Sequence, residues 1–217
     1  MDILKEVKTN PKWEANDIRT QNKKIQRYEM IKRGLDITLA TVGAIPAIII
    51  IVIFGVLVRI ETPGKVLYAQ ERLGKDGKKF RLYKIRSMFI DAEKDGAKWA
   101  EQDDDRVTTI GKFIRNTRID ELPQLLNIIK GDMSFVGPRP EREVFTIQFD
   151  KEIPGFSKRL LVKPGLTGWA QINGGYDISP REKLDYDLYY IKNRSLKLDF
   201  KILFKTVGII ISGDGAR

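Results

Sequence analysis

Apolar and polar positions along the chain fall into three regimes. Residues 1–30 are polar and mixed in charge, with Pro11 near a boundary, and read as a tail or a surface helix. Residues 37–58 (ITLATVGAIPAIIIIVIFGVLV) carry no charge. At about 1.5 Å per helical residue such a stretch reaches across a hydrocarbon core. From residue 61 onward, short apolar runs alternate with charged and turn-forming ones. Partial alternation over 66–70 and 80–88 predicts two strands, joined as a hairpin by residues 74–77 (GKDG). Helices are predicted over 89–100, 108–116, 122–129, 141–149, 181–193 and 196–211. Two Gly/Pro-rich stretches, 131–140 (GDMSFVGPRP) and 162–175 (VKPGLTGWAQINGG), are expected to be rigid loops of the kind that carry function.

The uncharged segment admits two topologies. Both flanks are basic: Lys32 and Arg33 precede it, and Arg59, Lys65 and Arg72 open a longer basic run after it. Positive charge favours the cytoplasmic side. A single span would send one basic flank across the membrane. Pro46, mid-segment, removes a backbone hydrogen bond, so a helix that breaks there and re-enters keeps both flanks on one side. A kinked spanning helix is the alternative. At the other end of the chain, Lys197, Lys201 and Lys205 recur at intervals of four beside Leu198, Phe200, Ile202 and Phe204. This fits either an interfacial helix or an amphipathic core helix.

Composition narrows the chemistry. The chain has 217 residues and a net charge of +10, which favours an anionic partner: nucleic acid, anionic lipid or a phosphorylated substrate. With no cysteine and no histidine, thiolate chemistry, disulfides and the commonest general base and zinc ligand are excluded. A metal would be a hard one held by oxygen, such as Mg²⁺.

Asp120 and Glu121 stand just ahead of Pro123 and an apolar helical run, with Arg115 and Arg118 upstream. This is either an ordinary helix start, with Asp120 as N-cap, or a nucleophile. In the second reading the helix dipole and the arginines keep the carboxylate ionised, with a lowered pKa. Neighbouring helical positions diverge by about 100°, so both carboxylates reach one cation only at the helix mouth. Pro138 and Pro140 restrain Arg139, which suits the guanidinium to phosphate. Lys84 and Arg86 share one face of a predicted strand, toward water or a phosphate. The run Asp103–Asp104–Asp105 reads as a solvated loop or an acidic metal cluster.

Several blocks in order identify a resemblance: KRGLD, LYAQERLGKDGKKFRLYKIRSM, TTIGKFIRNTRIDELPQLLNIIKGDMSFVGPRP, VKPGLTGWAQING and DLYYIKNRSLKLDFKIL. From about Lys32 to Gly213 the chain resembles the bacterial sugar transferase family, the polyprenyl-phosphate hexose-1-phosphate transferases of the monotopic phosphoglycosyl transferase superfamily. The resemblance implies an α+β, mostly helical fold with a re-entrant helix broken at Pro46, a short β-hairpin and interfacial amphipathic helices. The expected organisation is a tail or surface helix at 1–30, the membrane helix at 31–60 and a cytoplasmic-face catalytic domain at 61–217, in a short catalytic-core form.

The resemblance further implies that Asp120, with Glu121, is the catalytic dyad and holds Mg²⁺. Asp120 would attack a UDP-sugar and release UMP, and undecaprenyl phosphate would collect the phosphosugar at the cytoplasmic face of the bacterial inner membrane. Substrate binding falls on Lys84, Arg86, Arg115, Pro138, Arg139, Pro140, Thr167, Gln171 and Asp187. The partners implied are the two substrates and the lipid bilayer, not nucleic acid, with a homodimer left open. Two positions depart from the family pattern: Ile45 stands before the break proline, and Arg118 stands two residues before Asp120, where many members carry Ser.

Overall fold

The computed structural model describes residues 23–94, 96, 104–174 and 178–212. Most of the stretch read as tail or surface helix, and Asp103 of the acidic run, lie outside them.

Helix α1, Lys23–Glu61, dominates. One stripe of it is buried: Asp36, Ala40, Ala47, Gly55 and Val58 at helical spacing. Small residues on this stripe let neighbouring elements approach; a side chain at Gly55 would meet Val66 at 2.9 Å. The opposite face is apolar and exposed, including Val42, Ile45, Ile48, Ile49, Val52, Ile53 and Val56. Only 17% of the most apolar stretch is buried, unlike a soluble core helix.

The helix expected to break at Pro46 runs on without interruption. Pro46 lies on the exposed face and Ala47 beside it is buried, so the packed stripe continues through the proline. Packing along both halves offsets the lost ladder bond, which costs about 3 kcal/mol or more in an isolated helix.

Polar groups tie both halves of α1 to one body. Arg33 donates to the Ile128 and Ile129 carbonyls at 2.6 and 2.8 Å. Asp36 accepts from the Ser134 hydroxyl and the Phe135 amide at 3.1 and 3.0 Å. At the far end Glu61 accepts from the Ile110 amide at 3.1 Å. Thr62 and Lys65, just past the helix, offer their carbonyls to Arg86, each at 2.9 Å.

The hairpin forms as expected. Strand β1 (Leu67–Leu73) pairs antiparallel with β2 (Lys79–Ile85), from Leu67 opposite Ile85 to Leu73 opposite Lys79. Residues 89–94, the described start of an expected helix, are turn and irregular backbone. That stretch lacks a continuous apolar stripe, and Met88 instead bridges Val107. Helix α2 (Thr109–Asn116) is capped by Thr108, which accepts from the Gly111 amide at 2.9 Å. A 3₁₀ turn (Ile119–Glu121) leads into α3 (Gln124–Lys130).

The two Gly/Pro-rich stretches are more ordered than loops. They contain β3 (Ser134–Val136) and β4 (Gly165–Thr167), paired in parallel, and helix α5 (Trp169–Gly174) follows β4. Between the strands lie α4 (Glu143–Glu152) and a 3₁₀ segment (Phe156–Leu161). Glycine allows the pairing: a Cβ on Gly165 would lie 2.1 Å from the Gly137 nitrogen. The glycines read as loop formers serve the close approach of two backbones.

Helices α6 (Pro180–Asn193) and α7 (Leu196–Ser212) close the fold. On α7, Asp199 and Ile202 are buried, while Phe200, Phe204 and Val207 are exposed beside Lys197, Lys201 and Lys205. One side of the helix is core and the other leaves apolar and basic side chains exposed. Asp199 binds α7 to the start of α1, accepting from Tyr28 and Lys32 at 2.8 Å each and from Tyr190 at 2.9 Å.

Candidate active site

The acid pair sits on the turn between two short helices, α2 and α3. Arg118, between α2 and the 3₁₀ turn, is left-handed at φ 59°. That conformation is unfavourable for a residue with a Cβ. The turn carries Asp120 and Glu121, so Asp120 is not the N-cap of α3; Pro123 holds that position. Both acids are buried, at 4% and 6% exposure.

Their carboxylates converge on one ammonium. Lys84, near the end of β2, lies 3.4 Å from Asp120 Oδ2 and 3.1 Å from Glu121 Oε1. The 3₁₀ turn thus supplies the convergence that a regular helix denies to adjacent positions. Arg139 Nη2 also reaches Glu121 Oε1, at 2.5 Å. Glu121 therefore has two cations in contact and Asp120 has one.

This asymmetry splits the pair. Burial pushes the Asp120 pKa up; Lys84 counters, and the Glu121 charge adds to the rise. Burial also opposes the Glu121 charge, but Arg139 and Lys84 outweigh it and hold Glu121 well below the ordinary carboxylate range. The lowered pKa expected for Asp120 belongs instead to its neighbour, because both acids are buried but Glu121 meets two cations at contact distance and Asp120 only one. Two carboxylates driven apart in this way are suited to different roles.

The other expected site residues divide. Arg115 biases the charge of Asp120 but donates to Ser87 Oγ at 2.8 Å. Arg86 is not directed at the dyad: its guanidinium is spent on the Thr62 and Lys65 carbonyls, so the expected Lys84–Arg86 face separates past the end of β2. Thr167 bonds to Thr206 at 2.7 Å, and Gln171 donates to the Leu166 carbonyl at 3.0 Å. Asp187, on α6, is fully buried against Arg159, with Oδ2 2.6 Å from Nε. These three hold the framework together. In the acidic run, Asp104 is paired with Arg106 at 2.5 Å.

The Pro138–Arg139–Pro140 segment is held by each of its carbonyls. They accept from the Gly165 amide at 2.9 Å, Arg159 Nη2 at 2.8 Å and Arg72 Nη1 at 3.2 Å. Glu141 follows, buried between Lys183 and Arg72. Those cations overcome its burial and hold its pKa at about 2. Sequence reasoning missed Arg159, Arg72, Glu141 and Lys183, which lie far apart in the chain. It also missed Asn127, which donates to the Arg81 carbonyl at 2.7 Å and accepts from the Tyr83 amide at 3.2 Å, fixing β2 and hence Lys84. A signal for Asn127 existed: one amide in the apolar run LLNIIK.

For a metal, the protein offers two carboxylates already converging on one cation. Among the described residues no group of three or more acidic ligands forms. Two carboxylates are as many as Mg²⁺ commonly takes from a protein, the rest of its oxygens coming from phosphates and water, so Asp120 and Glu121 are the residues that could hold one.

The model of a family described as bacterial sugar transferase matches residues 27–213. Over 194 residues the chain is 50% identical to the UDP-N-acetylgalactosamine-undecaprenyl-phosphate N-acetylgalactosaminephosphotransferase of Aeromonas hydrophila, covering 88% of this chain and 46% of that protein. It is 39% identical over 183 residues to the UDP-glucose:undecaprenyl-phosphate glucose-1-phosphate transferase of Escherichia coli, covering 82% and 39%. A Caulobacter vibrioides protein of the same name is 35% identical over 193 residues, covering 87% and 72%. The chain thus spans less than half the length of the first two.

Proposed function

Because this chain belongs to the bacterial sugar transferase family, we propose that it moves a sugar 1-phosphate from a UDP-sugar to a polyprenyl phosphate, undecaprenyl phosphate foremost, and so starts a bacterial glycan. The observation that carries the reading is the buried Asp120–Glu121 pair converging on Lys84, with Arg139 on Glu121.

In the first half-reaction an Asp120 carboxylate oxygen attacks the phosphorus that bears the sugar. The bond to the bridging diphosphate oxygen breaks and UMP leaves, giving an aspartyl phosphosugar. In the second, a phosphate oxygen of the polyprenyl phosphate attacks the same phosphorus. The polyprenyl diphosphate sugar leaves and the Asp120 carboxylate is restored. Asp120 must be ionised to attack, and Lys84 supplies the charge that stabilises the anion in a buried site. Glu121, ionised throughout, orients Arg139 toward the phosphates and Lys84 toward Asp120. Mg²⁺ held by the dyad and the diphosphate would neutralise charge on the phosphate oxygens.

The lipid substrate calls for a site at the bilayer surface. Attachment from one face fits the exposed apolar side of α1, whose two ends are both tied to the same body. A straight helix of this length would be about 58 Å long, and packing along its whole run would carry the polar body into the hydrocarbon if it stood upright. We therefore assign α1 to one leaflet, with both basic flanks and the dyad on the cytoplasmic side of the inner membrane. Exposed Phe200, Phe204 and Val207 on α7 extend the apolar surface.

The test is UMP release from a panel of UDP-sugars, UDP-N-acetylgalactosamine first, by the full chain with undecaprenyl phosphate and Mg²⁺. Wild type should release UMP and yield a trappable labelled phosphosugar adduct. Asp120→Asn should do neither; normal turnover in that variant would refute the nucleophile.

A further inference from the structure

We propose that Arg159 is a positioning residue, which, anchored by Asp187, holds the Arg139 backbone so that its guanidinium meets Glu121. The inference rests on the proposed reaction. The contacts form one line: Asp187 Oδ2 to Arg159 Nε at 2.6 Å, Arg159 Nη2 to the Arg139 carbonyl at 2.8 Å, and Arg139 Nη2 to Glu121 Oε1 at 2.5 Å. None of Arg159, Asp187 and Glu121 is exposed.

Three observations point to positioning rather than bulk stability. First, the backbone of the segment is held by directed hydrogen bonds to all three of its carbonyls, and beside it runs a narrow cleft lined in part by Leu73, Phe156 and Arg159. Second, a buried ion pair is weak support for folding, since apolar replacements often match or exceed it. What it supplies is direction. The planar guanidinium of Arg159 places one edge on Asp187 and another on a carbonyl, and its face lies 4.8 Å from the Phe156 ring centre. Third, Asp187 Oδ1 is buried without a hydrogen bond, so the directed contact of this carboxylate is the one its Oδ2 makes to Arg159.

Lysine at 159 keeps the charge but loses the planar fork whose separate nitrogens meet Asp187 and the Arg139 carbonyl. Arg159→Lys should lower kcat for UMP release about 10- to 100-fold, the scale expected for a displacement near 1 Å in a catalytic group. The loss should fall on kcat, with KM for the UDP-sugar changed by less than about threefold, because the substitution displaces a group rather than removing a binding one. Asp187→Asn, which keeps shape but not charge, should lower kcat by less, again with KM little changed. In an Arg139→Lys background, Arg159→Lys should add no more than about twofold, because both changes break the same line. Thermal unfolding identifies variants that remain folded. Near-normal kcat in folded Arg159→Lys would overturn the inference, and so would a loss carried by KM alone or effects of the two substitutions that multiply. Absence of UMP release by wild type, or normal turnover by Asp120→Asn, would instead overturn the reaction itself.

Discussion

Removing the Lys84 ammonium tests the centre of the site most directly. In Lys84→Gln, two buried carboxylates lose the cation they share, now 3.4 and 3.1 Å away. At an effective dielectric constant of about 20, each contact corresponds to roughly 5 kcal/mol of attraction. Lys84 is partly exposed, and burying it costs solvation. The net loss should therefore fall near the 3–5 kcal/mol typical of stripping one partner from a buried pair. If about 3–4 kcal/mol of this is felt by the attacking anion, kcat falls roughly 10²- to 10³-fold, since about 1.4 kcal/mol is a factor of ten.

The sign with pH follows from Asp120, whose pKa burial has already raised. A raised folded pKa contributes stability that is present below the unfolded value and lost as pH rises through the folded one. Losing Lys84 raises that pKa further. The variant should be least stable relative to wild type at neutral pH and recover toward pH 4, and its acid limb of UMP release should move upward. The assay is UMP release across pH beside denaturant unfolding at each pH. A folded Lys84→Gln protein with wild-type turnover and an unmoved limb would refute the role of Lys84.

Two further outcomes are expected. Glu141, with its pKa held at about 2, contributes stability that is complete above the unfolded value near 4.5 and lost as pH falls toward 2. Glu141→Gln should cost about 3 kcal/mol at pH 7, and the difference should shrink to nothing near pH 2 in denaturant titrations. On α1, Ile49→Lys on the exposed face should weaken vesicle flotation while leaving thermal unfolding in detergent nearly unchanged. Ala47→Lys on the buried stripe should lower the unfolding temperature sharply, and equal effects at both positions would contradict the two-faced reading of α1.

Local patterning carried the elements it could encode. The uncharged run at 37–58, the hairpin around GKDG, and the helices near 108–116, 181–193 and 196–211 all formed close to where the sequence puts them. The acid pair and Arg139 were legible because their neighbours are unusual: arginines upstream of the acids, prolines on both sides of Arg139. At Pro46, where the sequence predicts a break, the backbone stays helical from Lys23 to Glu61 and α1 packs against the body on both sides of it. Local logic misjudged the Gly/Pro stretches, since the need for glycine comes from the other backbone.

By itself, then, the sequence determined an uncharged apolar helix long enough to cross a hydrocarbon core, a carboxylate pair among cations, and chemistry without thiol or imidazole. Only the tertiary structure decided which cation serves which acid. Lys84 and Arg139 reach the dyad while Arg86 turns away, and Arg159 and Asp187 act on Arg139 from distant segments. Charge depends on type and can be read along the chain. Its energy depends on burial and on the inverse of distance, and those are set only when remote segments pack together.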